Sequence, residues 1–278
     1  LLRYTMVHDF VAGDYMWTGI DYLGEANWPQ RSAGCGCLDT CGFEKDAFYF
    51  YKSVWNQKEK FAYLCPHWNL KLEKGTVLPV ICYTNCEDAE LFVNGRSFGM
   101  KSKGFPCYGM TECYGHFDRY RRPANTDDLF LSWDVPYEPG KIEVVGYHDG
   151  KEVCRYNVET TGEAASIKLT VDKTSVDADG RSIVQAEVRI VDGEGRLVLD
   201  ACPELDFTLE GDAEIIGIDN GDPACHEQWK ETKGRHAFNG MAYAVIRAGQ
   251  NKGELTLTVQ ASGVDAAIGK ASVTISQK

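Results

Sequence analysis

The chain is 278 residues long, 44% hydrophobic, 25% charged and 12% aromatic, a globular composition that excludes intrinsic disorder, collagen and coiled coil. Its 29 Lys and Arg against 41 Asp and Glu give a net charge of −12; an acidic surface repels phosphate backbones, so no nucleic-acid partner is expected. No apolar run approaches the ~20 residues of a membrane span, so no membrane partner is expected either.

At about 100–200 residues per domain, the length predicts roughly two domains with a remnant of a third. The start, Leu1 to Met6, lacks the basic end and apolar run of a signal peptide and does not begin with Met, which reads as a chain cut from something longer. The apolar and aromatic run Phe10–Ile20 predicts a buried strand. Residues 21–42 hold four glycines and one proline, the chemistry of irregular backbone. In Lys45–Trp55 the helical spacing of Phe48, Tyr51 and Trp55 predicts one helix face packed on a core.

From about residue 60 the period becomes 2. Strands are predicted at 77–83, 89–93, 129–133, 141–147 and 152–158, with turns at Asn94-Gly95, Pro139-Gly140 and Asp149-Gly150, the last a tight hairpin. The Gly-, Tyr- and Arg-rich stretch 101–126 reads as a surface excursion. A second set of strands follows at 167–171, 184–191, 206–209, 213–218, 241–248, 255–261 and 271–276. Short strands at this spacing predict two immunoglobulin-like antiparallel β-sandwiches, at 59–162 and 163–278, preceded by the strand, loop and helix of 1–58.

Eleven cysteines are an odd number, so complete pairing within one chain is impossible. Cys35, Cys37 and Cys41 offer a metal-site spacing, but zinc knuckles come as two C-x2-C-type pairs, and small buried or loop thiols are the preferred reading. No metal and no cofactor are predicted. Arg119 to Arg122 is a basic patch, read as a solvated loop or domain contact. Asp219 to Asp222 lacks the regular alternation of an EF-hand and predicts a turn held by side-chain-to-backbone bonds.

The segment His8 to Glu25 carries the chemistry. A Trp and several carboxylates cluster where a strand runs out into a Gly-rich loop; an exposed indole there offers a face for a sugar's C–H surface, and the other reading is a buried Trp with solvated acids. Phe10–Glu25 (FVAGDYMWTGIDYLGE) resembles the eighth-strand signature of the family 2 glycoside hydrolases, and Phe43–Trp55 resembles the eighth barrel helix after it. Pro66-His67-Trp68-Asn69, Tyr83-Thr84-Asn85 and Ala89–Gly95 resemble the sandwich that follows the barrel. Asn220-Gly221-Asp222-Pro223 with Phe238-Asn239-Gly240 resembles a further C-terminal sandwich.

The resemblance implies that residues 1–58 are the last strand and helix of a (β/α)8 barrel, a fold of about 250 residues, and that the chain is the C-terminal portion of a retaining exo-β-glycosidase. Such an enzyme uses two carboxyl groups about 5–5.5 Å apart; in the family both lie upstream of the eighth strand. No catalytic residue is therefore assigned here, and the fragment alone is expected to be inactive. Trp17 matches the family Trp of the sugar subsite, while Asp21 and Glu25 either contact sugar or organise the loop. Glucuronidases carry Asn-x-Lys-Gly before the final helix; here Ala33-Gly34-Cys35-Gly36 offers no cation, which favours galactosides over glucuronides. The implied partners are a β-galactoside-containing oligosaccharide, the upstream barrel and N-terminal domains of the same enzyme, and a second copy in a homo-oligomer. The implied location is periplasmic or extracellular. The rival reading is a non-catalytic carbohydrate-binding or spacer module, for which strand 129–133 with Tyr137 would present an exposed aromatic row.

Overall fold

The computed structural model describes residues 2–102, 129–230 and 233–278. The basic patch 119–122, most of the excursion 101–126, Cys107 and Cys113 lie outside the described residues. The chain forms two compact units, Leu1–Gly19 with Glu44–Thr160, and Ile20–Phe43 with Thr161–Lys278. The segment 1–58 is thus shared, its middle counted with the C-terminal sandwich and its ends with the first. No described helix is long and apolar enough to cross a membrane.

The first sandwich pairs a three-stranded sheet, in the order Ala62–Cys65, Val77–Thr84, Leu131–Pro136, with a four-stranded one, in the order Arg96–Ser102, Asp88–Val93, Lys141–His148, Lys151–Glu159. Alternation builds its core: Val80 and Cys82, Leu91 and Val93, Leu131, Trp133 and Val135, and Ile142 and Val144 all point inward. Asn94-Gly95 and Asp149-Gly150 both have positive φ at the two turn positions, the two-residue hairpin geometry that matches strand twist. The first of them starts strand Arg96–Ser102, which the sequence pattern did not reveal because its exposed side chains show no apolar alternation.

The motifs at the head of this sandwich have identifiable jobs. Trp68 is fully buried and its indole N–H donates to the Glu138 carbonyl at 2.8 Å. Buried Asn85 accepts the Phe61 N–H and donates to the carbonyls of Asn56 and Glu59, each 2.7–3.0 Å away. It thereby replaces with its own amide the backbone partners that residues 56–61 lack. Helix Asp46–Trp55 packs through Tyr49, stacked on Tyr63 at 3.7 Å, Phe50, edge-on to Tyr83, and buried Ser53. The face used is therefore not the expected Phe48, Tyr51 and Trp55 stripe, of which Trp55 is exposed.

The C-terminal sandwich sets a four-stranded sheet, in the order Ser166–Val171, Ile183–Val191, Met241–Ala248, Ala213–Asp219, on a five-stranded one, in the order Ser175–Val176, Lys270–Gln277, Gly253–Ala261, Glu204–Glu210, Gly234–His236. Its core is a single cluster in which Val184, Ala186, Val188 and Ile190 face Leu205, Phe207, Leu255, Leu257 and Val259.

Residues 10–20, expected as a buried strand, are irregular in the structure, with Phe10, Tyr15, Trp17 and Ile20 exposed. A strand exists only where a neighbour accepts and donates its backbone hydrogen bonds; here the pairing reduces to one parallel bridge, Ile20 to Leu38.

Candidate functional site

The segment that carries the sugar-site resemblance divides after Gly19. Its first part begins with helix Leu2–Val7, and Tyr4, His8 and Phe10 stack in sequence, with ring centroids 4.1 and 5.1 Å apart. Asp9 and Asp14 are exposed. Trp17 is 72% exposed, the solvent accessibility that a sugar platform requires.

Asp21 and Glu25 belong to the other unit and stand in contrasting environments. Asp21 is buried, with 6% exposure. Its Oδ1 accepts the Gly36 N–H at 2.6 Å, and its own N–H donates to the Leu38 carbonyl at 2.9 Å. A Cβ on Gly36 would stand 2.4 Å from the Asp21 nitrogen, so the glycine provides the space in which the two backbones meet. The hairpin Tyr22–Leu23 with Ser32–Ala33 follows directly. Glu25, exposed and in the left-handed region at φ 48°, closes that hairpin's loop by accepting the Tyr22 hydroxyl.

Beside Asp21 opens a groove of about 250 Å³ lined by Tyr22, Leu23, Arg31, Thr40, Asp219 and Trp229. Its floor is a charged node. Asp219 accepts from Arg31 at 2.9 Å and from Arg235 at 2.5 Å. Arg235 is 1% exposed, and its second amino group donates to the Glu227 carbonyl at 2.8 Å. Glu227 in turn holds the His236 ring. Asp39, also buried, accepts the N–H groups of Cys41 and Phe43 at 2.8 and 2.9 Å. Burial raises its pKa against those two bonds, and the charges of Asp21 and Asp219 push the same way. Burial likewise raises the Cys41 thiol, so it stays protonated.

The turn Asp219 to Asp222 is held as its sequence predicts. Asn220 Oδ1 accepts the Asp222 N–H and Asp222 Oδ1 accepts the Ala224 N–H. The Pro223 carbonyl then accepts the Arg31 N–H at 2.8 Å, and His226 bonds the Pro29 carbonyl at 2.6 Å while its ring lies 4.8 Å from Trp28. Arg31, Asp39, Trp229 and Arg235 were not singled out in the sequence. The Asn-Gly-Asp-Pro turn was the available signal, but it says nothing about which cations reach it.

Other clusters have local roles. Among the described residues, the His, Cys and carboxylate atoms gathered within 4.8 Å are those of Glu87, His148 and Asp149, at an exposed hairpin where Glu87 accepts the Asp149 N–H. Cys35, Cys37 and Cys41 form no such group. Strand Leu131–Pro136 presents no exposed aromatic row: Trp133 is buried with its indole N–H on the Gly99 carbonyl at 3.0 Å, and Tyr137 is buried beside Trp68. The surface that a binding module would show at that place is core.

Comparison with known proteins matches residues 167–269 to the family described as glycoside hydrolase family 2 C-terminal domain 5. Residues 75–154 match a domain of unknown function, DUF4982. The chain is 36% identical over 275 residues to the beta-galactosidase BoGH2A of Bacteroides ovatus, covering 98% of this chain and 29% of that protein. It is 33% identical over 247 residues to a putative beta-glucuronidase of Formosa agariphila, covering 85% of this chain and 22% of that one. Among solved structures, a beta-glycosidase from Bacteroides vulgatus matches 94% of the chain with TM-score 0.78 and 32% identity, over 30% of its own length. A glycosyl hydrolase family 2 member from Bacteroides cellulosilyticus matches 98% with TM-score 0.83 and 27% identity, over 36% of its own length. The chain thus spans about a third or less of each relative.

Proposed function

The chain is a C-terminal portion of a family 2 glycoside hydrolase, and from that premise we propose that its parent is a retaining exo-β-glycosidase acting on terminal β-galactosides. In this reading residues 1–58 are the last strand and helix of the catalytic barrel, and Trp17 stacks on the apolar face of the sugar in the subsite. The acid/base and nucleophilic glutamates are supplied upstream, so the chain alone does not turn over. The observation that carries the proposal is the exposed indole of Trp17 within FVAGDYMWTGIDYLGE, where a globular chain ordinarily covers so large an apolar side chain.

Galactoside rather than glucuronide is supported by two features of the loop. Ala33 to Gly36 provides no cation, and Arg31, the nearest cation along the chain, is committed to Asp219. A uronate carboxylate desolvated without a partner is costly. The beta-galactosidase named above is also the most identical of the curated relatives described. Asp21 is engaged by backbone, which favours its role as loop organiser; Glu25 accepts the Tyr22 hydroxyl but is exposed, and is the carboxylate of this pair that a sugar hydroxyl can reach. We place the enzyme in the periplasm or outside the cell, among glycan-degrading enzymes.

The test uses the full-length enzyme with chromogenic β-galactoside and β-glucuronide, and the present chain beside it. Cleavage of the galactoside by the full enzyme only, at a kcat/KM well above that for the glucuronide, is expected. Preference for the glucuronide overturns the substrate, and turnover by the purified chain that vanishes in Glu25→Gln overturns the placement of the catalytic groups. Cell fractionation with activity in the cytosol overturns the location.

A further inference from the structure

In the first sandwich two of the thiols lie side by side. Cys86, on the link between strands Val77–Thr84 and Asp88–Val93, is buried. Cys154, in strand Lys151–Glu159, is partly exposed, and their sulfurs are 3.5 Å apart. The two residues are 68 positions apart in sequence, so the contact is made by the fold.

The residue between them is the informative one. Gly146 pairs with Cys154 across the strands at a bulge, and a Cβ there would stand 2.6 Å from each of the two sulfurs. Gly146 has no positive φ, so its backbone would accept another residue; what excludes a side chain is the space the two sulfurs occupy. Glycine inside a strand weakens it, and here it marks a close approach of sulfur to sulfur. We propose that Cys86 and Cys154 are a built redox pair that closes to a disulfide, tying the corner between the two sheets to strand Lys151–Glu159.

The surroundings favour the chemistry. The Cys154 thiol donates toward Cys86, which lowers the Cys86 pKa to about 6 and raises that of Cys154; Lys60 and His148 add positive charge on the Cys86 side. The contact favours a thiolate on one sulfur of the pair, the nucleophilic form in thiol–disulfide exchange. The oxidant is a small disulfide such as oxidised glutathione. Cys154, the less buried residue of the two, passes its proton to Cys86 and attacks one glutathione sulfur. The glutathione S–S bond breaks, and the departing thiolate takes the proton from Cys86. The Cys86 thiolate then attacks the Cys154 sulfur of the mixed disulfide, releasing the second glutathione, which is protonated by solvent. Two protein thiols lose two electrons, and one glutathione disulfide becomes two thiols.

The experiment equilibrates the whole chain in a glutathione buffer, blocks remaining thiols with N-ethylmaleimide under denaturing conditions, and maps the peptides by mass spectrometry. A linked Cys86–Cys154 peptide is expected, about 2 Da lighter than the two thiol peptides together, absent in both Cys86→Ser and Cys154→Ser. Closing a loop of this length raises the Tm of the oxidised protein by about 4 °C or more over the reduced one, and the difference disappears in Cys154→Ser. Recovery of Cys86 and Cys154 both blocked while exposed Cys35 and Cys202 are oxidised would overturn the proposal. So would linkage of Cys86 to any other cysteine.

Discussion

The carboxylate of Asp39 fills the space that a side chain at position 221 would need: a Cβ on Gly221 would stand 2.0 Å from Asp39 Oδ2. Gly221 also has φ 76°, so an alanine there carries backbone strain of about 1 kcal/mol before any clash. Gly221→Ala should cost about 2 kcal/mol or more of stability in urea melts. In an Asp39→Ala background the same change should cost about 1 kcal/mol less, since only the backbone term remains. Strict additivity of the two substitutions would show that the two positions do not meet.

Arg235 tests the node from the other side. Its side chain is buried and bonds Asp219 and the Glu227 carbonyl. Arg235→Ala removes a fully buried guanidinium from an acid that is 27% exposed and keeps Arg31, and leaves the Glu227 carbonyl without its donor, so it should destabilise by about 1–3 kcal/mol. Arg235→Lys should recover part of the loss, having charge without the forked geometry. A loss below about 0.5 kcal/mol, the range of ordinary surface substitutions, would mean that water replaces the guanidinium.

Two aspartates of the C-terminal unit should respond to pH with opposite sign. Burial pushes the Asp192 carboxyl up, but the N–H groups of Gly162, Arg196 and Glu194 and the Arg196 guanidinium outweigh it and hold the pKa below the usual range. A depressed acid stabilises the fold above the unfolded value of about 3.9 and loses that contribution as pH falls through the folded value. Asp39 is raised by burial, so its ionisation weakens the fold as pH rises from about 4 through the folded value. Asp192→Asn should flatten the acid side of a stability–pH curve. Asp39→Asn, which keeps an acceptor for Cys41 and Phe43, should gain on wild type as pH rises toward neutrality. The reverse trend in either variant refutes the corresponding assignment.

Trp17 separates a sugar role from a packing role. Because its indole is 72% exposed, Trp17→Ala should change the stability of this chain by no more than about 0.5 kcal/mol. In the full-length enzyme the same substitution should lower kcat/KM by about 10-fold or more, equal to roughly 1.4 kcal/mol of transition-state binding. Unchanged kinetics in the full-length enzyme would remove Trp17 from the subsite.

The strands of both sandwiches were legible because inward positions alternate with period 2. In Met241–Ala248, for example, Ala242, Ala244, Ile246 and Ala248 are the buried set. Strands Arg96–Ser102, Ala62–Cys65, Ser175–Val176 and Gly234–His236 escaped, the first because its side chains are exposed and the others because they are four residues long or shorter. The motif singled out Trp17 for the proposed subsite, whereas nothing in the sequence pointed to Arg31 or Arg235. A cation 188 or 16 positions away from Asp219 becomes its partner only through the fold, and periodicity carries no trace of such a pairing. Helix Asp46–Trp55 shows a subtler failure: the apolar spacing located the helix but selected the Phe48, Tyr51 and Trp55 face, whereas the aromatic rings of Tyr63 and Tyr83 draw in Tyr49 and Phe50.

The C-terminal unit is not continuous in sequence: Ile20–Phe43 belongs with Thr161–Lys278, while the residues on either side of that segment belong elsewhere. A gene cut at residue 160 therefore yields a piece lacking the strand of backbone that brings Arg31 to Asp219, Asp39 to Gly221 and Pro29 to His226. Such a piece is a candidate for complementation. A synthetic peptide of residues 20–43 added in trans has its hydrogen-bonding partners already displayed on the sandwich, and co-expression of the two halves of a severed chain offers the same reunion inside the cell.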